Sequence, residues 1–217
     1  MSLTRAARDA ILTHRLVPVI RHLEGPSARS MAFTTLEVSS AVIELTTTIP
    51  GIFDLATQLR NEFPTAAIGL GTVTSAGEVD RAVAAGVDFI VSPGLSEALV
   101  EACNSLGVLY IPGILTPTEA MKAIEFDCTL VKLFPASTVG ASHLHALKEV
   151  FPGMDFMPTG GVSLATLRDW LDAGSAAFGI ASALSRSYDT GGNEALRDVL
   201  NQYLAVSNKE KEEANNG

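Results

Sequence analysis

"TLVKLFPAST", residues 129–138, decides how the whole chain is read. Leu130, Val131, Leu133 and Phe134 form a short apolar, β-prone run that ends at Pro135, and Lys132 stands in the middle of it. A run that is apolar on both sides of its alternation predicts a strand covered on both faces, as in parallel sheets. The other four of the five lysines, Lys122, Lys148, Lys209 and Lys211, fall in segments that read as exposed helix or tail.

Seven more runs of the same kind flank this one. They are "LVPVIR" (16–21), "SAVIEL" (40–45), "AAIGLG" (66–71), "DFIVSPG" (88–94), "VLYIPG" (108–113), "DFMPTGG" (155–161) and "AAFGIAS" (176–182). Helical patterns lie between them. Ser75, Ser96 and Thr116 stand where N-caps would, and Glu78 and Glu119 follow Ser75 and Thr116 at capping-box spacing. Gly86, Gly107 and Gly174 sit where a left-handed residue would close a helix. Eight strand-then-helix units about 25 residues apart predict an α/β chain folded as a (β/α)8 TIM barrel. An extra amphipathic helix over residues 3–14 would cover its floor. A doubly wound open sheet usually has fewer strands and needs no such even spacing. No linker interrupts the pattern, so a single domain is expected over 1–207, with 208–217 ("NKEKEEANNG") as a disordered acidic tail.

Composition narrows the function classes. A formal charge of −9 argues against nucleic-acid and anionic-membrane partners. Two cysteines, Cys103 and Cys128, cannot make a disulfide framework, and no secretory or membrane-spanning run is visible, so a cytoplasmic protein is expected. His143 and His145 are spaced i, i+2 and diverge on a helix, so no metal site is expected.

In a barrel the chemistry gathers where strands end. That edge carries Arg21, Glu44, Thr46 to Thr48, Gly71-Thr72, Pro93-Gly94, Pro112-Gly113, Lys132, Pro135, Thr159-Gly160-Gly161 and Ser182. Desolvation disfavours a charged lysine, and a neutral amine can add to a ketone and form a Schiff base. Glu44, also closing an apolar strand, could move protons beside it or could pair with it as a structural ion pair. "PTGGVS" (158–163) follows strand seven with two glycines that let the backbone approach an anion, and Ser182 ends strand eight. Arg21 could grip a carboxylate or phosphate in two-pronged fashion.

"IELT", "GLGTVTS", "FIVSPGL", "YIPGILTPTEA", "VKLFPAS" and "PTGGVS" occur in order between about residues 15 and 185. With them the sequence resembles the KDPG/KHG aldolase family, class I aldolases of 2-keto-3-deoxy-6-phosphogluconate and 4-hydroxy-2-oxoglutarate. The resemblance implies that Lys132 is the Schiff-base lysine and Glu44 the acid/base acting through a water. It implies that Thr72, Pro93 and Phe134 line the pyruvate pocket and that Thr159 contacts substrate. Gly160, Gly161 and Ser182 would hold the phosphate of a small keto-acid sugar phosphate. It further implies a homotrimer that needs no metal and no organic cofactor. Thr48 is expected to bind substrate, standing where several members carry a carboxylate-holding arginine, and Arg21 is expected to bind it too and to supply the missing charge. The galactonate epimer is an alternative substrate. A phosphate-binding isomerase and a sugar-phosphate sensor are the alternatives from other classes.

Overall fold

The computed structural model describes residues 3–39 and 41–215, with side chains between 4 and 207. Helix α1 (Leu3–His14) precedes strand β1 (Leu16–Ile20), α2 (Gly25–Ser39), β2 (Val42–Thr46), α3 (Ile52–Glu62) and β3 (Ala67–Gly71). Then come α4 (Gly77–Ala84), β4 (Phe89–Val91), α5 (Glu97–Leu106), β5 (Leu109–Ile111), β6 (Gly113–Ile114) and α6 (Pro117–Glu125). The chain closes with β7 (Leu130–Leu133), α7 (Ala141–Val150), β8 (Asp155–Pro158), α8 (Leu167–Asp172), β9 (Phe178–Ile180) and α9 (Ser182–Asn215). Each of the eight runs read from the sequence contains a strand, and the expected leading helix forms. Residue 40, where the second run starts, lies outside the described residues. The expected acidic tail falls in the last turns of α9, where side chains are not described, and residues 216 and 217 lie outside the description.

The closed eight-stranded barrel does not form. The strands instead make a six-stranded parallel sheet, β5-β4-β3-β2-β1-β9, which is half of a barrel, and a three-stranded parallel sheet, β6-β7-β8. Both seams fall at a proline. Pro112 splits the fifth run into β5 and the two-residue β6, and β6 pairs with β7 alone. Pro158 ends β8 at the other seam, where β8 and β9 share one isolated bridge, Thr159 to Gly179. Proline has no N–H to give a ladder, so the regular pairing is interrupted at these points, although the Pro112 carbonyl still accepts the Lys132 N–H at 2.9 Å. Strand positions and spacing were readable from apolar periodicity, though the fifth run holds two strands and brings the count among the described residues to nine. Ladder continuity was not, because periodicity does not report which neighbour an N–H faces.

Side-chain alternation sorts the strands into two apolar layers. One face of each strand packs under the helices, with Ile43, Leu45, Val131 and Leu133 in the larger core. The other face looks inward, where Val42, Ala67, Phe89, Leu109, Leu130 and Met157 close over Ala7 and Ile11 of α1. Glu44 and Lys132 lie two residues beyond Val42 and Leu130, so they share the inward face one layer above this apolar plug. Gly69 makes room for the plug: a Cβ there would lie 2.1 Å from the Phe89 ring. Of the expected capping boxes, Thr116 with Glu119 forms completely. At Ser75 only the carboxylate half forms, Glu78 accepting from the Ser75 N–H at 3.3 Å.

Candidate active site

The inward layer places two ionisable groups in dry surroundings. Lys132 is 6% exposed and Glu44 is fully buried, and Lys132 Nζ lies 3.5 Å from Glu44 Oε1. Glu44 Oε2 is buried and has no hydrogen-bond partner among the described residues. A buried carboxylate oxygen costs free energy unless something donates to it. This one is therefore available to a water or a substrate hydroxyl. Phe134, two residues on from Lys132, sets its ring centroid 5.2 Å from Nζ.

Small residues keep this layer open. Gly71, paired with Thr46 in the β2–β3 register, packs directly on the Glu44 carboxylate, and a Cβ there would lie 1.9 Å from Oε1. Gly113, in register with Lys132, meets the Pro93 carbonyl in the same way, at 2.2 Å. Pro93 is thus brought beside the lysine strand. Gly160 comes under the Phe134 ring, where a Cβ would lie 3.3 Å from it. Thr159, 4% exposed, continues the inward face of β8 past Met157, which is itself in register with Lys132.

The mouth is fixed by threonines. Thr72 holds a positive φ of 63°, an unusual backbone for a β-branched residue. Thr47 pins it there by donating its hydroxyl to the Thr72 carbonyl at 3.1 Å and its N–H to the Gly71 carbonyl at 2.9 Å. Arg21 donates from Nη2 to Thr72 Oγ1 at 3.2 Å, so its guanidinium stands at the rim above Gly71 and Glu44. Thr46, which the sequence reading left without a role, proves to be an organiser. It is fully buried and gives its single hydroxyl hydrogen to the Ile20 carbonyl at 3.0 Å. The 2.8 Å contact between Thr46 Oγ1 and Thr48 Oγ1 must then take its hydrogen from Thr48. Thr48 has no hydroxyl hydrogen left for a carboxylate. The spacing of Glu44 and Thr46, two apart on one strand, was the available signal.

Anion donors occur at the neighbouring strand ends. Gly160 and Gly161 take positive φ values of 86° and 89°. The Gly160 carbonyl accepts the Ser137 N–H at 2.8 Å, and the Thr159 carbonyl before it accepts the Ala136 N–H at 2.9 Å. Among the described residues, the N–H groups of Gly160 and Gly161 make no backbone hydrogen bond. Ser182 opens α9, where the Leu184 and Ser185 N–H groups bond the Ala181 carbonyl, and those of Ser182 and Ala183 make no backbone hydrogen bond among the described residues. β8 and β9 are adjacent, so the two sets lie on neighbouring elements. His143 and His145 go separate ways. His143 Nε2 meets the Leu115 carbonyl at 2.7 Å, while His145 faces Glu149 in the open.

Residues 8–195 match the sequence profile described as "Aldolase: KDPG and KHG aldolase". The chain belongs to that family. It is an aldolase, and so a lyase. Among its relatives, a 2-dehydro-3-deoxy-phosphogluconate aldolase of Pseudoalteromonas atlantica is 33% identical over 167 residues, covering 76% of this chain and 78% of that one. A probable 2-dehydro-3-deoxy-6-phosphogalactonate aldolase of Rhizobium meliloti is 30% identical over 195 residues, 88% and 92% of the two chains. The crystal structure of KDPG aldolase from Legionella pneumophila, with pyruvate captured as a covalent carbinolamine, superposes with a TM-score of 0.78. It is 26% identical and covers 89% of this chain and 96% of that one.

Proposed function

We propose that this aldolase works through a Schiff base on Lys132, with Glu44 as its acid and base, and cleaves 2-keto-3-deoxy-6-phosphogluconate to pyruvate and glyceraldehyde 3-phosphate. The observation that carries the reading is the buried Lys132–Glu44 pair with one carboxylate oxygen unpartnered. Lys132 Nζ adds to the C2 ketone, and Glu44 gives the proton with which the carbinolamine oxygen leaves as water. The resulting iminium withdraws electrons from C3. Removal of the C4 hydroxyl proton breaks the C3–C4 bond, the electron pair passes into the enamine, and the aldehyde departs. Protonation at C3 and addition of water to the iminium release pyruvate and free the amine.

The surrounding groups fit a substrate charged at both ends. Arg21, at the rim beside Thr72, takes the keto-acid carboxylate that the hydroxyl of Thr48 cannot serve. Pro93, Phe134 and Thr159 flank the reacting carbons. The N–H groups of Gly160 and Gly161, with Ser182 at the start of α9, hold the phosphate. 4-Hydroxy-2-oxoglutarate, giving pyruvate and glyoxylate, is a second substrate of the same chemistry. The Rhizobium relative makes the galactonate epimer the competing choice at C4, and parallel turnover of the two epimers decides between them.

The working assembly is a homotrimer in the cytoplasm. Exposed Ile124 and Val150, which line one groove with Phe151 and Met154, support an interface, and the two buried free thiols suit a reducing compartment. Sedimentation tests the trimer. Borohydride reduction with pyruvate, followed by peptide mass mapping, tests the mechanism. A reduced pyruvate adduct on Lys132 is expected, and a folded protein with no lysine adduct would sink the Schiff-base reading.

A further inference from the structure

We infer that His22 is a positioning residue: held by the first turns of α9, it fixes the short loop from which Arg21 reaches the keto-acid carboxylate. The inference rests on the reading of Arg21 proposed above.

Arg21 has little of its own to hold it. It lies in the connection of residues 21–24 between β1 and α2, and among the described residues its guanidinium makes a single hydrogen bond, to Thr72 at 3.2 Å. A long side chain on a four-residue loop loses much rotamer freedom when it binds a ligand. The loop itself, however, is tied down from one direction. Ser185 donates its hydroxyl to the Arg21 carbonyl at 2.9 Å. His22 Nδ1 accepts the Glu24 N–H at 3.1 Å, which places the imidazole proton on Nε2, and Nε2 meets Asp189 Oδ1 at 3.2 Å. The Tyr188 ring stands edge-on to the imidazole, at 6.0 Å between centroids and 80° between planes. The imidazole is only 18% exposed. It therefore bridges the loop's backbone to α9 with both ring nitrogens engaged.

Ser185, Tyr188 and Asp189 belong to a separate unit. The backbone of α9 leaves helical geometry at Gly191 (φ −141°) and Gly192 (φ 61°), so residues 182–190 form a helical segment set off from the rest by a kink. That segment begins at Ser182, proposed for the phosphate, and carries the groups that clasp the Arg21 loop. None of these contacts involves Lys132 or Glu44. A staple that merely fastened α9 to the domain would have no need to bond the carbonyl of Arg21 itself.

The test is borohydride trapping of Lys132 at graded pyruvate concentrations, with melting temperatures recorded for each variant. Pyruvate has the carboxylate and lacks the phosphate, so it isolates this end of the substrate. Arg21→Ala should raise the half-saturating pyruvate about tenfold or more. His22→Ala should raise it about three- to tenfold, the range for one or two lost hydrogen bonds, with the trapping rate at saturation unchanged. The double variant should be no worse than Arg21→Ala alone. Asp189→Asn, whose amide oxygen still accepts from Nε2, should stay within about twofold of the parent protein, while Asp189→Ala moves toward His22→Ala. If His22→Ala fails to fold, His22→Asn retains an acceptor for Glu24 and takes its place. An unchanged half-saturation in the His22 variant, or a full extra penalty on top of Arg21→Ala, overturns the inference. If Arg21→Ala binds pyruvate normally while Lys132 still traps, the reading of Arg21 fails first and the brace falls with it. Loss of trapping in the parent protein fails the Schiff base itself.

Discussion

Replacing Gly71 with alanine tests the site through one methyl group. Gly71 has an ordinary strand backbone, so alanine is conformationally allowed, and the whole effect is steric. The added Cβ would stand 1.9 Å from Glu44 Oε1, 2.6 Å from Cδ and 2.7 Å from Cγ. To regain an ordinary contact of about 3.4 Å, the oxygen facing Lys132 must retreat by about 1.5 Å. Glu44 is fully buried, so it cannot swing into solvent. Misplacing a reacting group by about 1 Å can cost about 100-fold, which sets the expected fall in kcat. Overpacking of this kind costs about 2 kcal/mol, or about 4–8 °C in Tm for a chain of this size. The assay is steady-state cleavage followed by pyruvate release, with a thermal melt alongside. Gly77→Ala, where a Cβ meets nothing within 4 Å, is the control and should retain both kcat and Tm. A Gly71→Ala enzyme with near-normal kcat would refute the claim that turnover depends on where the Glu44 carboxylate stands.

Three further outcomes are expected. Thr48→Val should change KM for the keto acid by less than about twofold, because its hydroxyl hydrogen is spent on Thr46; Thr46→Val, which strips the Ile20 carbonyl of its partner, should lower stability by about 1–3 kcal/mol in denaturant titration. Gly161→Ala must place a side chain at φ 89°, with its Cβ 2.3 Å from Ser137 Cβ. It should raise KM for the phosphorylated substrate about tenfold or more while leaving pyruvate trapping intact, and equal losses in both assays would refute a phosphate role. Alkaline pH should destabilise the fold. Burial pushes the Cys103 thiol from 9.0 to about 12, the Tyr110 phenol from 10.0 to about 12 and the Cys128 thiol from 9.0 to about 11. A folded pKa above the unfolded one gives stability that is complete below about pH 9 and lost as pH rises toward 12. Tm should therefore drop between pH 8 and pH 10.5, and a flat profile would contradict the burial argument.

What the sequence disclosed follows from which forces act locally. Lys132 and Glu44 were visible because a charge inside an apolar run is costly and needs a reason. The strands were visible because two-sided burial leaves continuous apolar runs. Thr116 and Glu119 gave away a helix start because a capping box closes within four residues. Other features depend on partners far along the chain. Nothing near Gly71 announces that it lies against a carboxylate on another strand, and nothing near His22 announces Asp189, 167 residues away. The direction of the Thr48 hydroxyl follows from the Ile20 carbonyl, which only the folded chain supplies. The lapse of the barrel at Pro112 and Pro158 belongs to the same class, since a missing donor matters only once the facing strand is known.

That lapse has a bearing on the reaction. Glu44 is carried by the six-stranded sheet and Lys132 by the three-stranded one. Their 3.5 Å separation is therefore an interface dimension inside one domain, since no continuous ladder clamps one strand to the other. What sets it is the plug between the sheets, Phe89, Leu130 and Met157 seated on Ile11 of α1. A close-packed interior transmits a small change in volume as a shift of its walls. Trimming Ile11 to valine, at the floor of that plug, is thus expected to alter the separation of Lys132 from Glu44.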